Sequence, residues 1–66
     1  MKTLIKVERA KRDMTQQDLA ELVNVSRQTI NSIECGRYSP SVQLAIKISN
    51  VFKLPVNDIF LLENSD

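Results

Sequence analysis

From Thr15 to Gly36 the chain reads TQQDLAELVNVSRQTINSIECG, an apolar cluster led by polar residues, a short polar break, and a second amphipathic stretch. The spacing predicts two helices joined by a tight turn. Thr15 and Asp18 have capping-box spacing: a hydroxyl accepts a first-turn backbone N–H, and a carboxylate three residues on accepts the N–H of the cap. A helix is therefore expected to begin at Gln16. Leu19, Ala20, Leu22 and Val23 form its apolar face until Asn24, a residue that tolerates positive φ, turns the chain. Ser26 caps the next helix, in which Ile30 and Ile33 point inward while Arg27, Gln28, Asn31 and Ser32 are left outside. Gly36 is expected to end that helix in the left-handed conformation, where a Cβ is penalised.

The flanking segments are helical in pattern too. A first helix is expected over about Ile5 to Lys11, with Ile5 and Met14 facing the core. Another follows Ser39 to Ser41, with Pro40 in a first-turn position where its missing N–H costs nothing. Leu44, Ala45, Ile48, Val51 and Phe52 make its buried stripe. After a break at Lys53 to Pro55, a short fifth helix near Val56 to Ile59 leads into the run Ile59, Phe60, Leu61, Leu62, which is too apolar for a free tail. Either Ile59 and Phe60 plug the bottom of the core, or Phe60, Leu61 and Leu62 add a dimer contact or a short strand beside Thr3 and Leu4. Both readings stay open here.

Sixty-six residues hold one small domain, 1–66, without internal repeats. Below roughly 70–80 residues a single core rarely supplies more than about 3–5 kcal/mol, which favours extra burial by self-association. The net charge of +1 does not by itself point to a nucleic acid, so basic character has to be local. Lys2, Lys6, Arg9, Lys11 and Arg12 crowd the first segment and Arg27 and Arg37 flank the second helix of the pair, whereas Asp58, Glu63 and Asp66 make the carboxyl end acidic. The chain has no His and one Cys, and it shows neither metal-spaced ligands nor a glycine-rich phosphate loop. No enzyme, cofactor or metal is expected. Cys35 reads as a small filler at a helix end, with a redox switch as the minor alternative. Without a secretion signal or a membrane-length apolar run, a cytoplasmic location and no membrane contact are expected.

Several fragments in order carry a resemblance: TQ at Thr15 and Gln16, LA at Leu19 and Ala20, SRQTI at Ser26 to Ile30, IE-x-G at Ile33 to Gly36, and YSPS followed by LAIKI near Leu44 to Ile48. Over nearly its whole length the chain resembles the Cro and phage-repressor type of helix-turn-helix regulator, the xenobiotic-response-element family of bacterial transcriptional regulators. The resemblance implies an all-α, five-helix Cro/repressor-like domain with its helix-turn-helix at about 15–35, and double-stranded DNA as the partner. It also implies that helix 3 enters the major groove, where Arg27 bridges guanine O6 and N7 and Gln28 bridges adenine N6 and N7. Asn31 and Ser32, shorter and a turn further on, touch bases or phosphates where the helix lies close. Without the motif, these four residues would be an ordinary solvated helix face.

By the same resemblance Gln16 grips a phosphate, and Arg37, Tyr38 and Ser39 offer further phosphate contacts, although Tyr38 packing on helix 4 is an equal alternative. Arg9 and Glu34 match a family ion pair tying helix 1 to the end of helix 3. At the place of Glu8 family members often carry an apolar side chain, so its carboxylate is expected wet, at the rim. Asn24 stands where glycine is common and is a tolerable replacement. In a short subgroup that this chain resembles, the chain ends form a small antiparallel pair and the protein is a homodimer, which implies a two-fold symmetric DNA reader, most simply a repressor on an inverted repeat. The competing expectation is an antitoxin-like or adaptor module that binds an unidentified protein partner through its carboxyl end, with DNA binding secondary.

Overall fold

The computed structural model describes residues 1–62. In chain order it contains β1 (Lys2–Thr3), α1 (Ile5–Lys11), α2 (Gln16–Val23), α3 (Arg27–Glu34), α4 (Val42–Phe52), one 3-10 turn (Val56–Asp58) and β2 (Phe60–Leu61). Local chemistry accounts for most of the boundaries. At the start of α2 the capping box closes in both directions, with Asp18 N–H on Thr15 Oγ1 at 2.9 Å and Thr15 N–H on Asp18 Oδ2 at 3.0 Å. Ser26 Oγ accepts the Thr29 N–H and Ser41 Oγ accepts the Leu44 N–H, each at 3.1 Å. Because Ser41 is the cap of α4, Pro40 precedes the helix instead of occupying its first turn.

Each helix stops at a left-handed residue: Asp13, Asn24, Gly36 and Lys53, with φ of 52°, 62°, 78° and 57°. The next N–H then reaches back to a carbonyl of the last turn, as in Val25 to Ala20 at 3.0 Å and Arg37 to Ser32 at 2.9 Å. Gly36 adopts this conformation without a Cβ, and Asn and Asp tolerate it. Lys53 does so against a penalty on the order of 1 kcal/mol.

The core is built from one face of each helix, with Ile5, Leu19, Ile30, Ile48 and Ile59 fully buried. Leu22 departs from expectation and is 62% exposed. At about 100° per residue, Leu19, Ala20 and Val23 span one arc of α2 and Leu22 falls about 60° beyond its edge. The predicted fifth helix is only the 3-10 turn, closed by bonds from Asp58 N–H to Pro55 O and from Ile59 N–H to Val56 O, both 3.0 Å. The count of five helices is therefore corrected to four α-helices among the described residues, while the small antiparallel pair of chain ends implied by the resemblance is present.

That ribbon pairs Lys2 with Leu61 and Thr3 with Phe60, and the Leu4 N–H donates to Ile59 O at 2.8 Å. The two readings of the terminal apolar run are thus partly reconciled. Ile59 and Phe60 are buried core plugs, their backbone is satisfied by the start of the chain, and Leu62 is 80% exposed. Glu63 and Asp66, the end of the acidic stretch, lie outside the described residues.

Glu8 is also corrected: it is buried, not wet at the rim. Helical spacing places Arg12 and Lys11 over it, at 2.8 Å (Nη1 to Oε1) and 3.2 Å (Nζ to Oε2). Arg12 extends further, donating from Nη2 to Phe52 O at 2.9 Å with its guanidinium 4.8 Å from the Phe52 ring centroid, and so fastens α1 to the end of α4.

The hydrogen bonds from Arg12 and then Lys11 hold the Glu8 carboxyl below its ordinary value of 4.5, and the Thr15 backbone and hydroxyl bonds hold Asp18 below 3.8. A carboxyl whose pKa is depressed on folding adds stability above its unfolded pKa and loses that stability as pH falls through the folded one. Thermal melts should therefore show a Tm that declines below about pH 4.5. Glu8→Gln should lower Tm at pH 7 and shallow the acid decline; a decline of unchanged depth would show that Glu8 does not contribute to it.

Candidate nucleic-acid interface

α3 is held from behind and open in front. Ile30 and Ile33 are buried against the core, while Arg27 and Gln28 in the first turn are exposed and Asn31 and Ser32 in the next are half-buried. The turn at Gly36 returns the chain along this outer face, leaving Arg37, Tyr38 and Ser39 exposed. Tyr38, 48% exposed, lines a shallow depression with Gln28, Thr29 and Ser32 beside α3. Arg27 lies at the opposite edge, lining a second depression with Thr15, Gln16 and Gln17 at the start of α2.

A polar cluster fixes the angle of α3. Arg9 Nε donates to Glu34 Oε2 at 2.7 Å and Arg9 Nη2 to Glu34 Oε1 at 3.0 Å, a two-pronged pair that joins α1 to the last turn of α3. Arg9 Nη1 also donates to Met14 O at 2.8 Å. The side chains retain 13% and 7% of their exposure, so the pair is largely shielded from water. Gln16 joins it, its Nε2 donating to Glu34 Oε1 and to Asn31 Oδ1, both at 3.1 Å.

The Gln16 link to Asn31 is invisible to sequence reasoning, because it arises only once α2 packs on α3. The basic crowding of the first segment also changes meaning. Arg9, Lys11 and Arg12 are engaged by Glu34 and Glu8, so much of that charge holds the fold together. Cys35 lies at the end of α3, as its place in the sequence implies, and is exposed, with Sγ 3.9 Å from Asn31 Oδ1.

Among the described residues no group of His, Cys, Asp or Glu could hold a metal, and no helix is long and apolar enough to cross a membrane. Two short helices joined by a tight left-handed turn, the second locked on one side and polar on the other, define a helix-turn-helix DNA-binding domain. The helix-turn-helix family profile matches residues 5–59. The chain belongs to this family of transcriptional regulators, in its Cro/C1 type. Such regulators are in general not enzymes.

Two relatives align along their full length and all of this chain: an HTH-type transcriptional regulator of Methanocaldococcus jannaschii, 47% identical over 66 residues, and the HTH-type transcriptional regulator YgzD of Bacillus subtilis, 42% identical. Among solved structures, the clp gene regulator ClgR from Corynebacterium glutamicum is similar with a TM-score of 0.75 and 28% identity. That match covers 82% of this chain and 57% of ClgR.

Proposed function

We propose that this protein is a cytoplasmic, sequence-specific regulator, a repressor that binds an inverted-repeat operator as a homodimer with α3 in the major groove. The observation that carries the reading is the two-sided character of α3: its back is fixed by Ile30, Ile33 and the Arg9–Glu34 pair, and its front offers Arg27, Gln28, Asn31 and Ser32. Long polar side chains at the amino end of a helix match the donor and acceptor pattern of the major groove. Gln28 and Arg27 are assigned to base edges, with Asn31 and Ser32 reading or contacting where α3 runs close.

Arg37, Tyr38 and Ser39 are assigned to phosphates on one side of the groove and the start of α2 at Gln16 to the other. Such contacts set register and supply salt-dependent affinity without reading sequence. A small bound dimer represses by occupying DNA that polymerase needs.

The dimer assignment rests on an apolar surface. Leu62, Val42, Ile46 and Val56 are 80%, 77%, 46% and 37% exposed and border one open groove with Leu61, a patch that favours association. Phe60 sits beneath it in the core, so Leu61 and Leu62 are its contact residues and Phe60 supports them. Leu62→Asp, at an exposed position, should keep a cooperative melt, with a Tm lowered only by loss of the dimer's burial, while shifting sedimentation to monomer and weakening binding to a palindromic site. A parent protein that already sediments as a monomer would transfer this surface to a protein partner and remove the dimer.

Selection of bound sequences from a random duplex pool tests the reading as a whole. An inverted repeat with half-sites about 10 base pairs apart, centre to centre, is expected; a motif without two-fold symmetry contradicts the homodimer, and no motif contradicts sequence-specific recognition.

A further inference from the structure

The cluster Arg9, Glu34, Gln16 and Asn31 has a hydrogen-bond polarity that chemistry fixes from one end to the other. A guanidinium only donates and a carboxylate only accepts. Glu34, held by Arg9 at 2.7 and 3.0 Å, must therefore meet the amide nitrogen of Gln16, at 3.1 Å, and not its oxygen. The same nitrogen lies 3.1 Å from the Asn31 side chain, and since it too only donates, Asn31 must turn its oxygen back toward α2. The Cys35 thiol, 3.9 Å from that oxygen, is another donor on the same side. The reverse orientation of Asn31 would set two amide NH2 groups face to face. What Asn31 has left for the open side of α3 is Nδ2 with its N–H donors.

We propose that Gln16 is a positioning residue for base recognition: it locks Asn31 as a donor, so that Asn31 selects guanine and rejects adenine. The inference rests on α3 reading DNA and adds the base chemistry of one position. An unrestrained asparagine bridges adenine by accepting from N6 and donating to N7. With its oxygen engaged behind the helix, the accepting half of that pairing is lost. Guanine, which presents O6 and N7 as acceptors, suits a group that only donates, and cytosine N4, a donor, does not. The lock also occupies the Gln16 amide nitrogen, so a phosphate at the start of α2 meets first-turn backbone N–H groups instead of that side chain.

The test is selection from a random duplex pool with the parent, Asn31→Ala, Gln16→Ala and Asn31→Asp proteins, each first shown to melt cooperatively, and read as base frequencies at every position. Asn31→Ala should flatten one position per half-site, and the parent should carry guanine there. Gln16→Ala should raise adenine relative to guanine at that position by about tenfold, within the range that one base contact discriminates, and leave the other positions as they were. Asn31→Asp, which presents only acceptors, should move the position toward cytosine.

Adenine at that position in the parent overturns the inference, as does an Asn31→Ala profile that flattens nowhere. So does a Gln16→Ala protein that binds more weakly with an unchanged base profile, the result of a phosphate contact alone. Each of these leaves DNA reading by α3 intact. The absence of any enriched motif with all four proteins overturns that reading and this inference with it.

Discussion

Arg9→Ala is expected to leave much of the protein unfolded at 25 °C. Removing one partner of a shielded ion pair strands the other charge at a cost of about 3–5 kcal/mol. The Glu34 carboxylate, 7% exposed, would lose both prongs of the guanidinium and keep only the Gln16 amide, and Met14 O would lose its Arg9 donor. A core of this size supplies only about 3–5 kcal/mol in all, so the loss is comparable with the whole stability. Urea denaturation of the parent and variant measures it. The pair is not thereby a net gain over an apolar alternative, because desolvation offsets its attraction: Arg9→Met combined with Glu34→Leu should recover most of the loss. A single-variant loss below about 1 kcal/mol would class the pair with exposed surface bridges and remove its role in setting the angle of α3.

Gln28→Ala is expected to lose specificity and keep nonspecific affinity. A good bidentate base contact discriminates by about 1–3 kcal/mol, and in a symmetric dimer the substitution acts at both half-sites. Affinity for the selected duplex should fall by about 5- to 150-fold per half-site, while affinity for random duplex and its dependence on salt stay close to the parent's. Fluorescence anisotropy against both duplexes at two salt concentrations separates the two components. Equal loss on selected and random DNA would assign Gln28 to the phosphates.

The parts of this fold that could be read in advance are those that neighbouring residues decide. The capping box at Thr15 and Asp18, the cap at Ser26 and the left-handed Asn24 and Gly36 are settled within a few residues, and α2 and α3 begin where those signals put them. The outward position of Arg27 and Gln28 also follows from helical periodicity and the burial of Ile30 and Ile33.

What escaped was decided by packing at a distance. The exposure of Leu22 depends on how wide an arc of α2 the core covers, and the 3-10 turn in place of a fifth helix depends on Ile59 reaching the core a few residues after Pro55. Glu8 is buried because the partner of its own helix, Arg12, also reaches the last carbonyl of α4. The Gln16 bond to Asn31 spans fifteen residues and has no local signature. The outward polar residues of α3 were thus legible one by one, but not the hydrogen-bonded cluster behind them.

The most direct test of the account is an amide and side-chain NMR titration of the labelled protein with a selected duplex, read by residue. Binding through α3 predicts that the largest shift changes fall at Arg27, Gln28, Asn31 and Ser32 and in the Arg37 to Ser39 loop, with the Val42, Ile46 and Leu62 surface unchanged once the dimer is formed. Largest changes on that apolar surface, with the outer face of α3 silent, would contradict it.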